Sequence, residues 1–301
     1  MQGNACVVWC ITDNKPGHHN QLRGLTMALQ RELSVQVHWL APLGPTAAVW
    51  NWLRRRFPAG RDLPDPTLVL AAGHATHWAA LAARRARGGK LILLMRPTLP
   101  LEWFDLCIVP EHDSPPQAPN IIVTQGVLNA IEAGRPQPGR GLFLIGGPSR
   151  HHQWSDSLVA NQVNAIVSRE THRTWRLTTS RRTPVTLLSR LPRAPNLDVI
   201  PVDQTDRDWV PRELSVAEHV WVTEDSVSMV YEALTAGASV GILPVPRRHS
   251  SRVVRGLDRL RAQGWVTGFA DWEAGQSLRP PPQPLAEADR CAHVIYERFL
   301  R

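Results

Sequence analysis

Short apolar runs alternate along the chain with longer amphipathic ones, and nearly every apolar run empties into a polar or glycine-containing turn. Cys6 to Thr12 carries no charge, the pattern of a strand buried on both faces of a parallel sheet. Val35 to Leu40, Thr67 to Ala72, Lys90 to Met95, Leu106 to Val109 and the short Ile121 to Val123 repeat that pattern. Helical periodicity between them predicts helices over about 22–32, 46–56 and 77–87. Residues 13–21 are then the loop joining the first strand to the first helix. Strands alternating with helices at this spacing predict a doubly wound parallel sheet.

The stretch from Gly134 to Gly141, rich in Gly, Pro and Arg, breaks the rhythm and reads as a linker. The pattern then restarts. Strands are predicted at Leu142 to Ile145, Trp175 to Thr179, Asp198 to Pro201, His219 to Val222 and Ser239 to Leu243. Helices are predicted over about 155–169, 185–191, from Ser226 to the stop at Gly237, over 253–263 and over 287–300. The sequence around Trp209 takes no assignment. The fold class is therefore α/β, with two Rossmann-like domains at 1–138 and 139–301 and the final helix packing back on the first. A chain of 301 residues is long enough to give each domain its own core.

Composition narrows the class further. Hydrophobic content of 43% with 20% charged residues is that of a soluble globular protein. No apolar run reaches the length of a membrane span, and the N-terminus lacks a basic segment followed by an apolar one, so a cytoplasmic location is expected. Cys6, Cys10, Cys107 and Cys291 match neither zinc nor redox spacings and are expected to be buried thiols. The net charge of +8 is carried almost wholly by Arg, with clusters at Arg54-Arg55-Arg56, Arg84-Arg85 with Arg87, and Arg247-Arg248. Such clusters suit a phosphorylated substrate or peripheral contact with an anionic membrane at its inner face. With no aromatic residues interleaved as a base-stacking platform, no nucleic-acid partner is expected.

Candidate chemistry falls in the turns at the carboxyl ends of the predicted strands, where open α/β folds bind ligands. Asp225, Ser226 and Ser228 stand at the start of a helix, whose free N–H groups and dipole suit a phosphate. Met229 follows, and Glu232 one turn on suits the hydroxyls of a ribose. Gly146, Gly147 and Ser149 could expose backbone N–H groups to a phosphate, although a Gly-Gly pair is also a common tight turn. Ser180, Arg181, Arg182 and Thr183 place two guanidinium groups where a diphosphate could be held; a solvated basic loop is the plainer account.

In the first domain Lys15, His18, His19, Asn20 and Gln21 lie together. Either His could take a proton from an attacking hydroxyl, with the others positioning the acceptor; helix capping or packing would account for at least one of them. Glu111, His112 and Asp113 form a second acid/base set. Neither they nor His74 and His77 find partners at metal-ligand spacing, so no metal is expected.

The run from Ser226 to Val240 resembles the nucleotide-sugar motif of GT-B glycosyltransferases. Five motifs in order resemble the mitochondrial fission ELM1-like family. They are Ile11 to Leu25, Phe104 to Asp113, Leu144 to Ser149, Thr179 to Pro184 and Val222 to Met229. The chain departs from that family at Gly73-His74-Ala75, where Gly-Arg-Arg is usual, at Asn14, where Gly is usual, and in lacking an Asn-Pro-Tyr segment. The resemblance implies a GT-B-type arrangement with a cleft between the domains. It implies an inverting, metal-independent glycosyltransferase that uses a nucleotide-diphosphate sugar as substrate and needs no cofactor, and the basic surface suggests an envelope or lipid-linked glycan as acceptor. His18 or His19 would then be the base. The competing expectation is a non-enzymatic, membrane-associated adaptor that keeps the fold.

Overall fold

The computed structural model describes residues 5–248 and 252–301 and divides the chain into two compact units. The first unit runs to Ala130 and takes in Ala286–Arg301 as well; the second is Ile131–Leu285.

In the first unit the elements in order are β1 (Cys6–Thr12), α1 (Pro16–Glu32), β2 (Val35–Leu40), α2 (Pro45–Leu53), β3 (Leu68–Ala72), α3 (His77–Arg87), β4 (Lys90–Leu94), β5 (Leu106–Pro110) and β6 (Ile121–Thr124). They form one six-stranded parallel sheet in the order β2-β1-β3-β4-β5-β6. Successive side chains leave a strand on opposite faces, so each strand feeds two cores. Val8, Cys10, Leu68 and Leu70 pack with Leu22, Leu25 and Leu29 of α1. Trp9, Ile11, Val69 and Ala71 pack with Ala79, Ala80 and Ala83 of α3 on the other side. Burial on both faces is why β1 and β3 read as unbroken apolar runs.

The second unit contains β7 (Arg140–Leu144), α4 (Asp156–Arg169), β8 (Thr174–Thr178), β9 (Leu197–Ile200), α5 (Trp209–Leu214), β10 (His219–Thr223), α6 (Val227–Thr235), β11 (Ser239–Leu243), α7 (Arg252–Ala262), β12 (Thr267–Gly268) and α8 (Phe269–Glu273). Its sheet is also parallel, in the order β12-β11-β10-β7-β8-β9. Gly241 lies beside Trp221 in the sheet register, and a Cβ there would overlap the buried indole. The last helix, α9 (Glu287–Phe299), belongs to the first unit. It lays Cys291, Ala292 and Ile295 into the core shared with α1 and joins it through the Arg31–Asp289 ion pair.

Most strand bounds follow the sequence pattern closely, while several features differ from it, among them β12 and α8, which the pattern does not predict. Helix α1 begins at Pro16, so the segment expected to be a loop up to Gln21 is the first part of a helix. The fixed φ of proline suits the first helical position, and its missing N–H is not needed there. Residues 185–190 form a 3-10 helix where an α-helix is predicted. The unassigned sequence at Trp209 is helix α5, with Trp209 buried. The linker stretch itself is held by the second unit: Gly134 N–H donates to Ala236 O at 2.9 Å, Arg135 N–H to Ser215 O at 2.7 Å and Gln137 N–H to Val216 O at 2.9 Å. The division therefore falls at Ala130 and not at Pro138.

Each sheet reverses its strand order once, between β1 and β3 in the first unit and between β7 and β10 in the second. The carboxyl ends of the strands at such a reversal are the place where open α/β sheets bind ligands. Among the described residues, no helix is long and apolar enough to cross a membrane.

Candidate functional site

In the first unit the reversal point brings together the loops after β1 and β3. Asp13 follows β1, and its Oδ1 accepts a hydrogen bond from Nδ1 of His18 at 2.8 Å. Lys15 adds its backbone N–H to Oδ1 at 3.2 Å and its ammonium to Oδ2 at 3.2 Å. Burial pushes the Asp13 carboxyl upward, but the bonds from His18 and Lys15 outweigh it and hold the carboxyl below its ordinary range. With Nδ1 committed to the carboxylate, Nε2 is the basic atom of His18, the arrangement of an oriented general base.

Gly73, at the end of β3, has φ of 92°, and a Cβ there would run into the His18 ring and Asp13. Its absence of a side chain makes room for the pair. Asn14 has φ of 60°, in the left-handed region that Gly and Asn tolerate best, so Asn can stand at that position with little strain.

The remaining first-unit candidates separate. His19 stacks on Trp39 with centroids 4.4 Å apart, whereas His18 is the histidine that bonds to Asp13. Asn20 is half-buried and Gln21 is buried inside α1. Glu111, His112 and Asp113 form a helical turn after β5. Two strands lie between β1 and β5, so this turn is about 14 Å along the sheet edge from the Asp13–His18 pair. His77 donates to or accepts from Thr98 across 3.2 Å, and burial together with the neighbouring His74 lowers its pKa to about 4.

In the second unit three loops meet at the carboxyl ends of the adjacent strands β8, β7 and β10. The N–H of Gly146 donates to Thr223 Oγ1 at 2.7 Å and that of Gly147 to Asp225 Oδ2 at 3.0 Å. These two groups are already used, which corrects the expectation that they face a phosphate. The same crowding explains the glycines. A Cβ on Gly146 would overlap Asp225 and Ser226, and one on Gly147 would overlap the backbone of Arg182. Thr183 closes the cluster, its hydroxyl donating to the carbonyls of Ile145 and Gly146, while Ser180 N–H donates to Thr183 Oγ1 at 2.8 Å.

The two arginines of that loop part company. Arg182 bends inward, donating to Gly147 O at 2.9 Å, Asp225 Oδ2 at 2.8 Å and Ser226 Oγ at 3.0 Å. Arg181 is exposed and makes no ion pair among the described residues. Helix α6 starts after Ser226, whose side chain makes no capping bond. The N–H of Met229 donates to Ser226 O at 3.0 Å, and Ser228 in the same first turn is exposed. Glu232 is one turn beyond Ser228, on the same face, with Met229 between.

Sequence reasoning missed several participants. Asp13 is the partner of His18, and a helix start at Pro16 would have suggested the pairing. Glu224 is buried and held by Arg247, which also pairs with Asp258. His152 is buried beside them, its N–H donating to Ser149 Oγ at 3.1 Å; burial lowers its pKa against the opposing pull of Glu224 and Asp225. Ser149 is thus occupied with this turn. Among the described residues no three His, Cys, Asp or Glu side chains gather as a metal site.

Two parallel α/β units with loops assembled at their reversal points define a GT-B-like fold, and solved structures agree. A Listeria monocytogenes protein assigned as a UDP-N-acetylglucosamine 2-epimerase superposes with a TM-score of 0.63 at 14% identity, covering 98% of this chain and 97% of that one. The Neisseria meningitidis UDP-GlcNAc 2-epimerase bound to UDP-GlcNAc gives 0.53 at 14% identity, covering 98% and 99%. MurG of Acinetobacter baumannii gives 0.52 at 15% identity, covering 96% and 95%. No curated protein sequence matches significantly. The chain belongs to the mitochondrial fission ELM1 family, whose profile matches residues 16–299.

Proposed function

We propose that this protein is an inverting, metal-independent glycosyltransferase that takes a nucleotide-diphosphate sugar in its second unit. The observation that carries this reading is the Asp13–His18 pair at the reversal point of the first sheet. An adaptor has no use for a carboxylate that fixes an imidazole with Nε2 as its basic atom. Several structural relatives carry UDP or a UDP-sugar in their descriptions, which makes UDP the first nucleotide to try.

In this scheme His18 Nε2 removes the proton of an acceptor hydroxyl as its oxygen attacks the anomeric carbon. The bond from that carbon to the diphosphate oxygen breaks with inversion, and Asp13 stabilises the imidazolium that forms. The charge growing on the diphosphate is met by the first N–H groups of α6, Ser228 and Arg181, while Glu232 holds the ribose; the Ser226 hydroxyl is already committed to Arg182 and Asp225. Lys15 and Asn20 position the acceptor, an envelope or lipid-linked glycan, whereas buried Gln21 takes no part.

Thermal-shift titration with UDP-, GDP-, CMP- and ADP-sugars tests the donor site, because a ligand at a hundredfold excess over its Kd stabilises by about 2.7 kcal/mol. A shift with one nucleotide class that Glu232→Ala abolishes is expected. His18→Ala should keep the shift and lose turnover, with product analysis separating transfer from epimerisation. No shift with any sugar nucleotide, in folded protein, would leave the adaptor reading in its place.

A further inference from the structure

Helix α2 carries an apolar face that nothing in its own unit covers. Among its residues only Ala48 is fully buried. Trp50 is 55% exposed and Leu53 56%, one helical turn apart on the same side. On the opposite side Trp52 packs against Trp78 and Trp103. A helix apolar on both sides is ordinarily buried, yet this one lies at the surface. Its polar residue Asn51 does not change the picture, since its amide turns back to Ala47 O at 2.8 Å.

The helix ends in a basic cluster. Arg54, Arg55 and Arg56 are all exposed and make no ion pair among the described residues. The Arg54 guanidinium stacks 4.1 Å above the Trp50 ring. No Asp or Glu occurs from Leu33 to Arg61 or from Pro66 to Leu101, so α2 and the neighbouring α3 carry no carboxylate. Arg55 has φ of 51°. Its N–H donates to Trp52 O at 3.3 Å and that of Arg56 to Asn51 O at 2.9 Å, the helix-ending motif in which glycine is the least strained choice at the left-handed position. An arginine stands there instead.

We propose that α2 and Arg54–Arg56 form a docking surface for an anionic lipid bilayer. Trp50 and Leu53 would enter the boundary between headgroups and acyl chains, where an indole is at home and a leucine gains burial. The arginines beside them would meet lipid phosphates. Nucleic acid fits less well, because Arg54 already covers one face of the Trp50 ring and Leu53 cannot stack on a base. This inference does not depend on the nucleotide-sugar reading, and its test contains no nucleotide.

Co-sedimentation of the full chain is measured with vesicles of phosphatidylcholine and phosphatidylglycerol, and with phosphatidylcholine alone. Binding to the anionic vesicles that weakens with salt is expected. Replacing Arg54, Arg55 and Arg56 together by Gln should lower the partition coefficient about a hundredfold, roughly fivefold for each arginine. Trp50→Ala with Leu53→Ser should lower it about tenfold. These positions are exposed, so the unfolding midpoints should stay near wild type. Arg55→Gly should raise the midpoint, by relieving the left-handed arginine, and still weaken vesicle binding. That opposite response separates a lipid contact from a role in folding. No binding to either vesicle, or binding unchanged in these variants, would overturn the proposal. So would tighter binding to a single-stranded oligonucleotide than to vesicles, lost with the arginines.

Discussion

The guanidinium of Arg182 lies 2.8 Å from Asp225 Oδ2, and while the arginine side chain is 44% exposed, the aspartate side chain has no solvent exposure at all. A carboxylate taken fully from water depends on such a partner. Arg182→Ala should destabilise the protein by about 2 kcal/mol, at the lower end for a broken pair because one partner is half in solvent. Removing Asp225 as well should recover part of that loss. Denaturant unfolding of the two single variants and the double variant checks both statements.

Gly147→Ala should also destabilise, by about 1–3 kcal/mol, because its Cβ meets backbone of the Arg182 loop and not a side chain that could swing away. The effect should appear in denaturant unfolding of the ligand-free protein. Weaker sugar-nucleotide binding by this variant would then reflect a displaced loop, without a direct phosphate contact.

The hydrogen bonds to Asp13 have a pH signature. Its carboxyl is held below the ordinary value in the folded state, so the unfolded chain takes up the proton first as pH falls. The stabilisation is complete above about pH 4 and disappears as acid protonates the folded carboxyl. Wild type should therefore lose its advantage over Asp13→Asn on acidification, read by unfolding at a series of pH values. If the transferase reading holds, the same substitution should lower kcat by roughly a hundred- to ten-thousandfold.

His77 acts at a higher pH. Burial and the neighbouring His74 lower its pKa to about 4, whereas the unfolded imidazole titrates near its ordinary value of 6.5. Between these values the unfolded chain binds more protons, so stability falls as pH drops through that window, by up to about 3 kcal/mol. His77→Gln, which can keep a hydrogen bond to Thr98, should flatten this part of the pH–stability curve.

The strands were legible because burial on both faces leaves an uncharged run with sharp ends. The bounds of β1, β2 and β11 coincide with Cys6 to Thr12, Val35 to Leu40 and Ser239 to Leu243. The start of α1 was not, since Gly17, His18, His19 and Asn20 have loop-like chemistry and only Pro16 betrays the first turn. The residue types at the candidate site were visible in the turns, yet their partners were not. Spacing cannot say that Arg182 turns inward to Asp225 while Arg181 stays in solvent, because that choice depends on which loops strand order brings side by side. For the same reason Ser149 and the Gly146–Gly147 pair looked like free ligand contacts before their hydrogen bonds to neighbouring loops were known. The reversal points themselves follow from sheet order, which hydrophobic pattern leaves open.

Helix α9 supplies Cys291, Ala292 and Ile295 to a core whose other members were placed in the chain before residue 130. During synthesis the second unit is complete once Leu285 has been added, while the first still lacks a wall. Closure of the first unit's core therefore follows synthesis of the whole second unit, and until α9 is made the part of that core it covers stays open.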